Sequence, residues 1–387
     1  MNFNLSEEQQ AFVDMARQFA DAELAPFAAE WDKTHHFPKD VIQKAGELGL
    51  CSLYTPEEAG GLGLSRLDSA LIFEALSTGC TATTAMLTIH NMATWMVASW
   101  GTEAFKAQWC EALTTGQKLA SYCLTEPGSG SDAASLRTKA VLNDAGSHYV
   151  ISGSKMFISG AGETELLVVM CRTGGPGPKG ISAIAVPAAS DGIVYGKAEE
   201  KMGWNAQPTR LVTFDDVQVP VANLLGEEGQ GFGFAMKGLD GGRINIAACS
   251  LGTAQAALDR ASAYMNERQQ FGKPLAAFQA LQFKLADMAT ELVAARQMVR
   301  LAAFKLDQAD PERSAYCAMA KRFATDIGFS VCNEALQIHG GYGYIQEYPL
   351  ERHVRDVRVH QILEGTNEIM RLIIARRLLD PQAGVIA

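Results

Sequence analysis

Apolar positions recur every three or four residues from Ser6 to about Thr115, in Ala-, Leu- and Glu-rich segments broken by Pro38, Pro56 and the loop Gly60-Gly61-Leu62-Gly63. That spacing predicts a run of amphipathic helices. Between about Lys118 and Leu225 the texture changes to β-branched runs such as HYVISG, ELLVVMCR, GISAIAV, GIVYG and RLVTFDDVQV, parted by Gly, Pro and Asp turns. These predict an antiparallel β domain. After Gly231 the helical spacing returns, and residues 275–310 contain neither Gly nor Pro. Within them Leu281, Leu285, Met288, Leu292, Ala295, Val299, Ala302 and Leu306 form one apolar seam, of the kind that buries against other long helices. Val293, Met298, Leu301 and Phe304 lie off that seam, so a partner subunit is expected to cover a second face.

The fold class expected is therefore α+β, mainly α. An N-terminal α-helical domain spans 1–117, a middle antiparallel β domain 118–229, and a C-terminal α-helical four-helix bundle 230–387. With 387 residues, 48% of them hydrophobic and 20% charged, the chain is long enough for two or three cored domains. Its net charge of −10 argues against a nucleic-acid surface and points to a small-molecule ligand. The eight cysteines show neither a C-x-x-C pair nor zinc-type His spacing, and read as reduced core thiols with no metal site. No apolar run reaches the length of a membrane span. The first thirty residues are amphipathic and acidic, unlike a leader; the expected location is cytoplasmic, or the mitochondrial matrix for a processed chain. A Rossmann site is not expected, because GSGSDA at 128–133 lacks the third Gly and GGLGLS opens no βαβ unit.

Five stretches carry candidate chemistry. In SYCLTEPGSGSD, Ser121–Asp132, Gly and Ser residues free the backbone to present N–H groups and hydroxyls. In GSKMFISGAG, Phe157 and Ser159 alternate on a strand, setting an aromatic face beside a hydroxyl. In NERQQFGKPLAAFQALQ, Arg268 and Lys273 flank a break between helices, and Phe278 with Gln279 opens the next helix; a guanidinium there suits a diphosphate. QIHGGYGY ends a helix in glycines that let backbone approach a nucleotide. Last, HQILEGTNEIMR sets Glu364 after apolar residues and before Gly365. Such a flank partly desolvates the carboxylate and raises its pKa, which suits a base near neutral pH, whereas a solvated turn acid would carry no chemistry.

Taken in order, YCLTEPGSGSD, KMFISG, RQQFGKPL, QIHGGYGY and ILEGTNEIMR resemble the acyl-CoA dehydrogenase family over nearly the whole chain. The resemblance implies noncovalent FAD and α,β-dehydrogenation of an acyl-CoA, here a short branched one. Isobutyryl-CoA is the first candidate, with 2-methylbutyryl-CoA or a short linear ester as alternatives. It implies that Tyr122, Leu124, Thr125, Gly130 and Ser131 line the flavin, with Phe157, Ile158 and Ser159 against its ring system. Thr366, Asn367 and Glu368 would complete that site. Arg268, Phe271, Phe278, Gln279, Gln337, Ile338, His339, Gly340 and Gly341 would contact the FAD of a neighbouring subunit. Ser131, Asp240, Gly241, Gly242, Arg243 and Arg376 would meet the acyl-CoA. Glu364 would take the α-proton while the β-hydrogen leaves as hydride to flavin N5.

Some relatives carry the base on the helix at the position matching 242; here that residue is Gly and only the loop acid is present. Adjacent Gly241 and Gly242 are expected to leave room for a methyl branch, and Ile362 with Leu363 to exclude water. The implied partners are an electron-transfer flavoprotein and three further copies of the chain, as a dimer of dimers. Rival readings are an oxidase that passes electrons to oxygen and a catalytically silent FAD-binding assembly protein.

Overall fold

The computed structural model of the chain describes residues 4–380, so the outermost residues of both helical domains, 1–3 and 381–387, lie outside the described residues. The first helix, α1 (Glu7–Phe19), opens at a capping box in which Ser6 and Gln9 exchange side-chain-to-backbone hydrogen bonds. It is followed by α2 (Ala28–Thr34), α3 (Lys39–Glu47), α4 (Arg66–Ser77), α5 (Thr81–Trp100) and α6 (Glu103–Thr114). Helix α5 is buried along most of its length, and its buried polar side chains Thr84, Thr88 and Asn91 donate to backbone carbonyls.

Strands β1 (Ala120–Cys123), β2 (Lys139–Leu142), β3 (His148–Ser159), β4 (Leu166–Arg172), β5 (Ile181–Pro187), β6 (Ile193–Ala198), β7 (Thr209–Pro220) and β8 (Leu224–Leu225) form one sheet in the order β6-β7-β3-β2-β4-β5-β8, with β1 added beside β4. The sheet is mixed rather than purely antiparallel: β1 and β2 both run parallel to β4, and the remaining pairs are antiparallel. Period-2 patterning reports burial, not direction, so the two parallel contacts left no trace in the sequence.

The C-terminal part holds α7 (Gly231–Glu267), a hairpin of β9 (Gln269–Gln270) and β10 (Lys273–Pro274), then α8 (Gln279–Asp307), α9 (Arg313–His339), α10 (Leu350–Arg358) and α11 (Asn367–Leu378). The hairpin turns at Phe271, φ 53°, and Gly272, φ 79°, the positive pair that a tight two-residue turn requires. Helix α7 crosses α4 at backbone contact, since a Cβ at Gly252 would lie 1.9 Å from the Glu74 carbonyl oxygen. The seam on α8 is buried at Met288, Leu292, Ala295, Val299 and Ala302. The off-seam Val293, Leu301 and Phe304 stay 52%, 43% and 51% exposed.

Two buried histidines tie the domains together. His90 of α5 accepts the Ala120 N–H through Nδ1 at 3.0 Å and donates from Nε2 to the Leu113 carbonyl at 2.9 Å. His360 accepts the Trp204 indole N–H through Nε2 at 3.3 Å, so its proton sits on Nδ1 and is given to Ser250 Oγ at 2.6 Å. Burial, and secondarily Lys321, pushes the His360 pKa down to about 3; the ring is neutral. Trp204, on the β6–β7 loop at φ 57°, also donates its backbone N–H to Asp356 Oδ1 at 2.6 Å. The middle domain, α7 and the turn leading to Glu364 thus form one hydrogen-bonded unit. Trp204→Ala is expected to lower the calorimetric unfolding midpoint, through a loss of about 3–5 kcal/mol; an unchanged midpoint would contradict the latch.

Candidate active site

Glu364 occupies a left-handed turn, φ 56°, followed by Gly365 at φ 90°. A non-glycine residue there costs about 1–2 kcal/mol, so something must hold it. Three devices do. Arg243 Nε of α7 donates to the Glu364 carbonyl at 3.4 Å, Lys321 Nζ of α9 donates to the Gly365 carbonyl at 2.8 Å, and Thr366 caps α11 by accepting the Ile369 N–H at 3.3 Å. Arg243 is steadied by Asp240, Nη1 to Oδ1 at 2.7 Å, and Asp240 in turn accepts from Ser314 Oγ at 2.5 Å.

The Glu364 carboxyl lies on α7 where that helix has no side chain: a Cβ at Gly242 would sit 2.6 Å from its Oε2. Oε2 is buried without a hydrogen-bond partner. Burial therefore raises the Glu364 pKa, to about 7, while Lys321 and Arg243 restrain the rise. The Tyr122 hydroxyl is also buried and unpartnered; burial first, and the Glu364 charge second, push its pKa up. Arg66 fills the place beside Gly241, with Nη1 2.4 Å from a would-be Cβ, and lies over the Tyr54 ring at 3.5 Å. The space expected for a methyl branch above Gly241 and Gly242 is thus taken by a guanidinium and a carboxyl. Ile362 is 50% exposed, leaving Leu363, which packs on the core, as the apolar cover on this turn.

Across the domain boundary, the loop after β1 hangs on a buried ion pair. Lys155, fully buried, bonds Glu126 Oε1 at 2.8 Å and the Leu124 carbonyl at 3.0 Å. Burial works against the Glu126 carboxylate, but Lys155 and the N–H groups of Arg137 and Thr138 outweigh it and hold its pKa below the ordinary value. The Met156 N–H closes the loop onto the Thr125 carbonyl at 2.8 Å. Gly130 and Ser131 are exposed on the same loop and Leu124 is buried. The strand alternation expected at Phe157 is interrupted by a bulge between Lys155 and Ile158, with Phe157 at φ 59° and its ring 62% exposed. Ser159 is half-buried, its carbonyl accepting from Ser121 Oγ at 2.7 Å, while the Ile158 side chain is in the sheet core.

The remaining candidates form a second cluster at the other end of α7. Arg268 lies over the Tyr342 ring at 5.5 Å, and Phe271 and Phe278 meet edge to face at 6.1 Å, with Gln279 beginning α8. Gln337, Gly340 and Gly341 are exposed and Ile338 is buried. The His339 ring is committed, stacked on Tyr264 at 4.2 Å and donating from Nδ1 to the Ala335 carbonyl at 2.8 Å. Along α7 this cluster lies about 35–40 Å from Arg243, at 1.5 Å per residue. Asn367 turns its side chain inward to Lys321, Thr325 and Asp326. Glu368 is exposed in the first turn of α11 and Arg376 in its last. Lys321, Lys155, Glu126 and Arg66 are not singled out by the sequence pattern; for the first, the cation pair Lys321-Arg322 inside the otherwise apolar run AMAKRFA was the available signal.

Models of the acyl-CoA dehydrogenase N-terminal, middle and C-terminal domains match residues 6–117, 121–217 and 229–379. The chain is 56% identical to a mitochondrial isobutyryl-CoA dehydrogenase of Bos taurus, covering 98% of this chain and 91% of the relative. It is 53% identical to one from Dictyostelium discoideum, over 97% and 90%. The solved butyryl-CoA dehydrogenase of Megasphaera elsdenii superimposes with a TM-score of 0.94 at 41% identity, covering 98% of this chain and all of that one.

Gly242→Leu is expected to push the Glu364 carboxyl off α7 and to cut acyl-CoA turnover about 10²-fold for branched and linear esters alike. Selective loss of the branched ester in steady-state assays would restore the methyl-pocket reading.

Proposed function

Because the chain belongs to the acyl-CoA dehydrogenase family, and is therefore an oxidoreductase acting on acyl-CoA, we propose that it desaturates isobutyryl-CoA to methacrylyl-CoA, a step of valine breakdown, with Glu364 removing the α-proton. The observation that carries the role of Glu364 is its carboxyl: one oxygen is buried and unpartnered, and its pKa is raised to about 7. A carboxylate so placed is a stronger base than one in water, yet a substantial fraction is ionised at neutral pH. The choice of isobutyryl-CoA is supported by the two isobutyryl-CoA dehydrogenases at 56% and 53% identity. Those relatives are described as mitochondrial, which favours the matrix for a processed chain.

The residues present fit a flavin. Phe157 offers an open ring face from a bulge, the Tyr122 hydroxyl waits without a partner, and Gly340 and Gly341 have nothing within 4 Å of a would-be Cβ. Bound FAD supplies the acceptor for the hydride from the β carbon. Tyr122, Leu124, Thr125, Gly130, Ser131, Phe157, Ile158, Ser159, Thr366, Asn367 and Glu368 would hold it, Ile158 and Asn367 through their backbones. The Arg268 cluster lies too far along α7 to share that site with Glu364 of its own chain, which supports its service to the cofactor of a second copy and an assembly of at least two chains. A tetramer, with an electron-transfer flavoprotein as electron acceptor, completes the proposal.

Within the pocket, Arg243 and Lys321 orient the turn, Gly242 admits the carboxyl, and Leu363 limits water. Ser131, Asp240 and Arg376 would meet the acyl-CoA. A second reading, oxidation of a short linear ester, is favoured by the likeness to butyryl-CoA dehydrogenase at 41% identity. Anaerobic titration with isobutyryl-, 2-methylbutyryl-, butyryl- and octanoyl-CoA, followed by flavin absorbance, separates them. Isobutyryl-CoA is expected to bleach the flavin fastest; faster bleaching by butyryl-CoA would select the second reading, and no bleaching by any ester would select a silent assembly protein.

A further inference from the structure

Beneath the Glu364 turn, α9 sends one lysine into the protein interior. Lys321 is fully buried, and its Nζ donates to the Gly365 carbonyl at 2.8 Å and to Asn367 Oδ1 at 2.9 Å. Asn367 is locked in its turn by donating to Thr325 Oγ1 at 3.0 Å and to Asp326 Oδ1 at 2.7 Å. The residues immediately before and after the α11 cap are therefore both hung on one ammonium group. We infer that Lys321 is a positioning residue for the reaction: it fixes the left-handed turn that presents Glu364 and keeps a positive charge beneath that carboxyl. The inference rests on the proposal that Glu364 is the base.

A staple made only of hydrogen bonds would not need a charge. Gln could donate to the same two oxygens, and a buried ammonium costs several kcal/mol of desolvation in compensation for whatever it provides. What Lys adds is the electrostatic field. The groups that face the pair come from every neighbouring element. Arg243 on α7 acts on both, Asp326 on α9 and Glu368 on α11 act on Lys321, and Tyr54, Tyr122 and Cys249 sense the Glu364 charge. Neutral His360 lies behind and is itself affected by Lys321. Burial lowers the Lys321 pKa, to about 8, with the Glu364 anion opposing that fall, while the lysine opposes the burial-driven rise at Glu364. Between about pH 7 and 8 the two groups are an anion and a cation that stabilise one another.

The sign follows. With the cation removed, the Glu364 carboxyl holds its proton to higher pH, so the base is ionised later and the acid limb of kcat/KM moves alkaline. The test uses the FAD-loaded protein with Lys321→Gln and Lys321→Met. The carboxyl titration of Glu364 is read by infrared difference spectroscopy, using the band that disappears in Glu364→Gln, alongside the pH profile. Both variants are expected to move the infrared midpoint and the kinetic limb upward by about one pH unit or more, with Lys321→Gln keeping more of the parental kcat than Lys321→Met. An infrared midpoint at the parental pH in either variant would overturn the inference, whatever happens to the rate.

If neither variant folds, the reciprocal measurement decides. The Lys321 titration, followed by NMR of protein carrying [13Cε]lysine, is expected to fall in Glu364→Gln because its anionic neighbour is gone, and an unchanged midpoint would overturn the pairing. Failure of the base assignment itself reads differently: Glu364→Gln would keep its turnover while the infrared and NMR shifts persisted.

Discussion

The chemistry proposed for this structure depends on keeping one carboxylate half dry. In water a carboxylate is too weak a base to compete for a proton near neutral pH; buried without compensation it would stay protonated and remove none. Glu364 lies between those limits because burial and two cations pull its pKa in opposite directions, to a value of about 7. The balance requires a fixed distance between carboxyl and cations. That requirement explains why a strained left-handed turn is held from three sides by α7, α9 and the cap of α11.

The rest of the fold supplies the rigidity. Arg243 stands on a 37-residue helix that crosses α4 at backbone contact. The turn before Glu364 is coupled through His360 and Trp204 to the β6–β7 loop, and β7 pairs Thr209 with Ser159 at the edge proposed to meet the flavin. The two walls of the proposed reaction space, one from the helical domain and one from the sheet, are thereby linked through hydrogen bonds. The buried pair Lys155–Glu126 does the same for the loop after β1. A pair of that kind contributes little net stability against apolar replacement, and its effect is better understood as fixing a conformation.

Much of this was legible in the sequence. The division into helices, sheet and helices followed from hydrophobic period, and the α8 seam from Met288 to Ala302 is buried as the spacing implied. Glu364 could be singled out because apolar residues precede it. Long-range geometry was not legible. The bulge at Phe157 breaks strand alternation through backbone conformation that no side-chain pattern encodes. The glycines at 241 and 242 looked like empty space, but Arg66, distant in sequence, and Glu364 occupy it. Lys321 was overlooked because a cation on a helix is ordinarily solvated, and only the tertiary arrangement brings the turn 365–367 over it.

The most direct test of the account is the rate at which the α-hydrogen of isobutyryl-CoA is removed by Glu364→Gln protein that folds and retains its flavin. The substitution preserves shape and removes the proposed base. The account predicts a fall in flavin reduction of about 10²-fold or more at pH 8. Reduction at the parental rate would show that another group accepts the proton.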